Sequence, residues 1–98
     1  MDGALAVGGE FQEIFGQDHF YLEVQANGLD HQRIANAGLV EIHKKLGIPM
    51  AGTNDCHYLN KEDARPHELM LCLQTGKTLS DPHRMKFDTD QLYVKSTE

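Results

Sequence analysis

At 98 residues the chain holds at most one small domain, with a modest buried fraction and a thin stability margin. Its 40% hydrophobic and 24% charged residues fit a soluble globular segment. The formal net charge of −6, with Lys44, Lys45, Lys77, Arg84 and Lys86 scattered as solvated surface charge, excludes a nucleic-acid groove built from this segment alone.

Met1 to Gly9 is small and apolar with three glycines, and reads as a fragment start or an added remnant. Glu10 to Phe15 reads as the last turns of a helix, with Gly16 as a left-handed stop. Phe20-Tyr21-Leu22-Glu23-Val24-Gln25 is aromatic and β-branched and predicts a strand, closed by an Asn27-Gly28 turn. Asp30 is a good helix N-cap. Ala35, Leu39, Ile42 and Leu46 then recur at helical spacing, and Gly47 and Pro49 end the helix.

Ile48 to Thr53 predicts a second strand, short and apolar as a buried parallel strand would be. Asn60, with Glu62 and Asp63 in the first turn, opens a second helix. Pro66 predicts a kink or restart in it. Leu69, Met70, Cys72 and Leu73 give it an apolar side, and Gly76 stops it. Lys77 to Asp90 reads as loop, Gln91 to Lys95 as a third strand, and Ser96-Thr97-Glu98 as an N-cap cut off before its helix. The order is β-α-β in kind, with parallel strands and right-handed crossovers.

The chemistry concentrates in Thr53-Asn54-Asp55-Cys56-His57. In extended backbone, positions two apart share a face, so Asp55 and His57 can offer a carboxylate oxygen and an imidazole nitrogen to one divalent metal. The carboxyl end of a parallel strand is where α/β folds build sites. The competing reading makes Asp55 a turn cap and His57 a surface residue. Thr53 and Asn54 are read as positioning the loop. Cys56 should point away from its neighbours into packing. His67 is read as a surface residue within reach of this loop, and Glu23 as a solvent-facing or ion-paired residue that could also turn toward the same sheet end. His43 beside Lys44 and Lys45 suits a helix C-terminus.

Gln74-Thr75-Gly76-Lys77-Thr78 imitates the end of a phosphate-binding loop, but the required first glycine falls on Leu71. Cys56 and Cys72 match neither a zinc nor a Cys-x-x-Cys spacing. Without an apolar signal segment at the start, a reducing cytoplasmic setting is expected, and no membrane association.

These residues carry a family resemblance. Thr53-Asn54-Asp55-Cys56-His57-Tyr58-Leu59 resembles the Thr-Asn-Asp-x-His-Tyr segment of the alpha subunit of bacterial DNA polymerase III. The likeness continues through Glu62-Asp63-Ala64, His67-Glu68, Leu71 to Leu79, Asp81-Pro82, Arg84 to Phe87 and Tyr93 to Ser96. Upstream, Phe20 to Gln25 and Gly28-Leu29 also fit.

The resemblance implies the C-terminal half of a PHP (polymerase and histidinol phosphatase) domain, spanning residues 1–98 as a single partial domain. The implied fold is an α/β partial β/α barrel, with alternating parallel strands and helices. The implied site is a divalent-metal cluster (zinc, manganese or magnesium), to which this chain would give Asp55 and His57. The family's early His-x-His has no counterpart here, and Asn27-Gly28 stands where the family often has His-Gly. The implied parent is a DNA-directed DNA polymerase whose PHP segment is a metal-dependent phosphoesterase or 3′–5′ proofreading exonuclease site, or its structural remnant. The alternatives are a purely structural scaffold and a stand-alone PHP phosphoesterase.

The implied partners are the rest of the alpha subunit and, through it, DNA and other replisome subunits. The isolated chain should lack polymerase activity, having no set of palm carboxylates, and should bind metal weakly or not at all. The unpaired sheet edge of a half barrel invites self-association.

Overall fold

The computed structural model describes residues 1–97, in two compact units. The first comprises Met1–Ala26 and Asp30–Thr53, and the second Asn27–Leu29 with the chain from Asn54 onward. Among the described residues no helix is long and apolar enough to cross a membrane.

The first unit is built from helix α1 (Asp2–Phe15), strand β1 (Leu22–Gln25), helix α2 (Asp30–Leu46) and strand β2 (Met50–Thr53). β1 and β2 pair in parallel, Leu22 opposite Met50 and Gln25 opposite Thr53. This is the expected β-α-β unit, with both strands shorter than their apolar runs. The two strands form an open sheet, not a closed barrel.

One sheet face belongs to the core. Leu22, Ile42 and Ile48 are buried, with Leu5, Phe20, Leu39, Leu46 and Met50 packed against them. Ile48 is fully buried although it precedes β2. On the opposite face Thr53 Oγ1 donates to Glu23 Oε1 and accepts from Gln25 Nε2 at 3.0 Å. Gln32 Nε2 donates to Gln25 Oε1 at 3.2 Å. Glu23 is thus held by Thr53 on an exposed polar face.

Met1 to Gly9 is structured: α1 starts at Asp2, and Gly8 lets it approach the core closely. A Cβ at Gly8 would meet Leu46 Cδ1 at 3.4 Å and Ile42 Cγ2 at 3.6 Å. Gly16 has φ 89° and ψ 160°, so it ends α1 in an extended positive-φ conformation rather than the left-handed one. Phe11, Phe15 and Phe20 cluster around it in the chain, with centroids 5.4–6.3 Å apart and the Phe15–Phe20 pair stacked. In α2, Leu39, Ile42 and Leu46 face the core as the stripe required, whereas Ala35 is exposed. The last turn carries Lys44 and Lys45, cations that the helix dipole favours, and His43, whose Nδ1 lies 2.7 Å from Ile48 O.

In the second unit, a 3₁₀ turn (Lys61–Asp63) leads into helix α3 (Ala64–Thr75). Asn60 N donates to Asp63 Oδ2 at 2.9 Å, closing the start. Pro66 sits in the first turn of α3, where its missing N–H has no intrahelical partner to lose. That is why the helix restarts at Ala64 rather than kinking. Gly76, at φ 65° and ψ 32°, stops it in the left-handed conformation, and Lys77 N bonds Cys72 O at 2.9 Å.

The expected apolar side of α3 is not a buried one. Cys72 is buried, but Leu69, Met70 and Leu73 are 43%, 62% and 76% exposed. The expected strand Gln91 to Lys95 reduces to a single parallel bridge, Tyr58 with Tyr93. Its backbone groups are spent on one loop and on side chains instead of a ladder. Of the predicted terminal cap, Ser96 and Thr97 are not helical, and Glu98 lies outside the described residues.

Gly8 supplies a stability test. Gly8→Ala should be neutral or stabilising by up to about 1 kcal/mol, because the added methyl reaches ordinary contact distance and favours helix. Gly8→Leu should cost about 1–3 kcal/mol by overpacking. Urea denaturation midpoints of the two variants check this, and equal midpoints would contradict the close approach.

Candidate functional site

Asp55 and His57 do come together, though not by the expected route. Asp55 has φ 54°, a left-handed conformation that Asp tolerates better than most residues. The backbone is therefore kinked, not extended. His57 Nδ1 lies 2.7 Å from the Asp55 carbonyl oxygen and 3.9 Å from its carboxylate Oδ1. A ring nitrogen facing a carbonyl must carry the proton, so Nδ1 donates and the Nε2 lone pair is left for a ligand. Both side chains reach solvent, Asp55 at 58% and His57 at 31% exposure.

A buried amide holds this loop, from Asn27, which the sequence alone suggests only as a turn residue. Asn27 is 0% exposed. Its Nδ2 donates to Asn54 O at 3.0 Å and Asn54 Oδ1 at 2.9 Å, and reaches Gln91 O at 3.4 Å. Thr89 Oγ1 donates to Asn27 O. Asn54 Nδ2 in turn donates to Tyr93 O at 2.6 Å, and Lys95 Nζ donates to Asn54 Oδ1 at 2.5 Å. His57 N bonds Leu92 O at 2.8 Å, and Val94 N bonds Tyr58 O at 3.2 Å. Thus residues 89–95 clasp residues 54–59, as Asn54 was expected to help do. The available signal was an Asn where Gly28 alone would have made the turn, with φ 79°.

Two rings flank His57. Its centroid lies 4.9 Å from that of Phe87 and 5.5 Å from that of His67. His67 stacks on Phe87 at 5.5 Å and 27°, and Tyr58 lies 5.3 Å away. His67 is half-buried, not a plain surface residue. Cys56, expected in packing, is exposed, because the Asp55 kink turns it outward; its Sγ lies 3.7 Å from Tyr93 O.

Next to His67, Glu68 accepts from Arg65 at 2.5 Å and from Arg84, whose Nε also donates to Leu79 O at 3.1 Å. The guanidiniums of Arg65 and Arg84 hold the Glu68 carboxyl below the usual glutamate range. This pairing ties the loop carrying Phe87 to α3. Among the described residues no group of three or more His, Cys, Asp and Glu side chains is arranged to hold a metal ion. Asp55 and His57 present oxygen and nitrogen donors of the types that bind divalent metals.

No protein-family model matches the chain. It is 50% identical over 93 residues, 95% of its length, to the DNA polymerase III subunit alpha of Mycobacterium tuberculosis. It is 43% identical over 89 residues, 91% of its length, to that of Treponema pallidum. It is 46% identical over 98 residues, its whole length, to that of Thermus aquaticus. The chain spans 8% of the length of each of these relatives.

Two tests follow from this geometry. Asn27→Ala should cost about 1–3 kcal/mol, because it removes the bonds of a fully buried amide to Asn54 and Gln91; its urea midpoint measures this, and an unchanged midpoint would show that the amide is dispensable. For Glu68 the folded pKa is depressed, so its stabilisation is full above the unfolded value near 4.5 and fades as pH falls through the lower folded value. Glu68→Gln should lower the melting temperature at pH 7 and flatten its decline below pH about 4.5. Parallel melting curves for both proteins across that range would refute the coupling.

Proposed function

We propose that the chain is a segment of a DNA polymerase III alpha subunit, the C-terminal part of a PHP domain with a partial β/α barrel fold. In that parent, a DNA-directed DNA polymerase, Asp55 and His57 give one oxygen and one nitrogen donor to a divalent-metal centre of a phosphoesterase or 3′–5′ proofreading exonuclease site. The observation that carries this reading is the part-exposed His57 ring, bonded at Nδ1 to Asp55 O, beside a carboxylate in a stapled loop. The identity to polymerase III alpha subunits along nearly the whole chain supports the parent assignment.

Zinc, manganese or magnesium, when bound, supplies an activated water and neutralises charge on a scissile phosphate. The chain's own residues do the rest. Asp55 O accepts from His57 Nδ1, and the Asn27–Asn54 staple holds the loop. The remaining donors would come from the rest of the alpha subunit, which is also the route to DNA and other replisome subunits. Taken alone, the chain has unpaired strand edges on β1 and β2 and a bare α3 face, which favour self-association. A structural-scaffold reading has its own support in the incomplete donor set.

In the full subunit, Asp55→Asn with His57→Ala should abolish metal-dependent release of nucleotides from a labelled DNA 3′ end while polymerisation persists. In the isolated chain, calorimetric zinc titration should give affinity weaker than micromolar, removed by either substitution. An unmutated subunit with no metal-dependent 3′ cleavage would leave the scaffold reading standing instead. Submicromolar zinc binding that survives both substitutions would place the metal elsewhere.

A further inference from the structure

We infer that His67 and Phe87 are positioning residues that hold the His57 imidazole in its Nδ1–H tautomer, with Nε2 directed outward. The part concerning metal rests on the function proposed above; the part concerning the ring does not.

A hydrogen bond from Nδ1 to Asp55 O, 2.7 Å long on an exposed loop, is weak by itself. Free imidazole rotates about two side-chain torsions and exchanges tautomers, so one such bond leaves the ring largely unfixed. Here two further surfaces act on the same ring. Phe87 lies at 4.9 Å and 60°, and His67 meets it edge-on at 5.5 Å and 75°. These two rings flank the imidazole and restrict its rotation away from Asp55 O.

Both walls are themselves braced. His67 stands on α3, stacks on Phe87 at 27°, and contacts Tyr58, whose hydroxyl accepts from Leu92 N at 3.4 Å. Phe87 belongs to the loop that Arg84 fastens to Glu68 and to Leu79 O. Adjacent residues of α3 therefore hold the imidazole directly, through His67, and the opposite wall indirectly, through Glu68. Groups that orient a ligating histidine commonly account for about 10–100-fold in metal affinity.

The test uses the 98-residue chain labelled with ¹⁵N, at a pH well above the histidine titration range. Long-range ¹H–¹⁵N spectra should show His57 as the Nδ1–H tautomer without metal. His67→Ala and Phe87→Leu should return it toward the mixture of a free imidazole, with zinc affinity lower by about 10-fold. His67→Phe keeps the ring and should retain both properties. A His67→Ala chain with unchanged tautomer overturns the inference, as does a His67→Phe chain as perturbed as His67→Ala. If the tautomer responds as stated while the full subunit shows no metal-dependent 3′ cleavage, the inference stands and the metal reading falls. If zinc binds at Asp55 and His57 and the tautomer ignores the substitutions, the reverse holds.

Discussion

The second unit is organised around one buried amide. Asn27 is fully buried, and both its side chain and its carbonyl are committed to hydrogen bonds with Asn54, Gln91 and Thr89. A buried polar group left without partners costs more than a satisfied one returns, so these bonds act as a strict constraint. They define where residues 54 and 91 meet, and so which backbone groups of residues 54–59 find partners on residues 89–95. Asp55 is kinked and His57 is bonded back to it within that frame.

The first unit has a different logic. Its core is apolar and small, centred on Leu22, Ile42 and Ile48, and it depends on the bare backbone of Gly8 for the approach of α1. The second unit has few buried apolar residues, Cys72 and Leu92, and leans on polar connections: the Asn27–Asn54 staple, the Arg65–Glu68–Arg84 cluster and the rings around His57. Polar staples have directional geometry, which suits a loop that must present two donors in one arrangement. Apolar burial gives stability without such direction.

Local rules were readable wherever the physics is local. The helical stripe of Leu39, Ile42 and Leu46, the stops at Gly47 and Gly76, and the capping of the turn before α3 follow from periodicity and backbone preference. The Asp55–His57 pair was also visible as a donor pattern. What misled was extrapolation from pattern to exposure. Leu69, Met70 and Leu73 have helical spacing yet stay exposed, because periodicity says which residues share a face and not what covers it. The same limit applies to Cys56, whose direction depended on a φ that no residue count reveals.

By itself, the amino-acid order determined the β-α-β unit, the punctuation of its helices and the candidacy of Asp55 and His57, since each rests on residues close in the chain. The tertiary structure decided the rest. It buried Asn27 against Asn54, 27 positions away, and set His67 and Phe87 against the ring of His57. It also spent the groups of residues 89–95 on a loop rather than a strand ladder. Such contacts depend on which distant groups must satisfy one another once water is excluded, and no local preference encodes that.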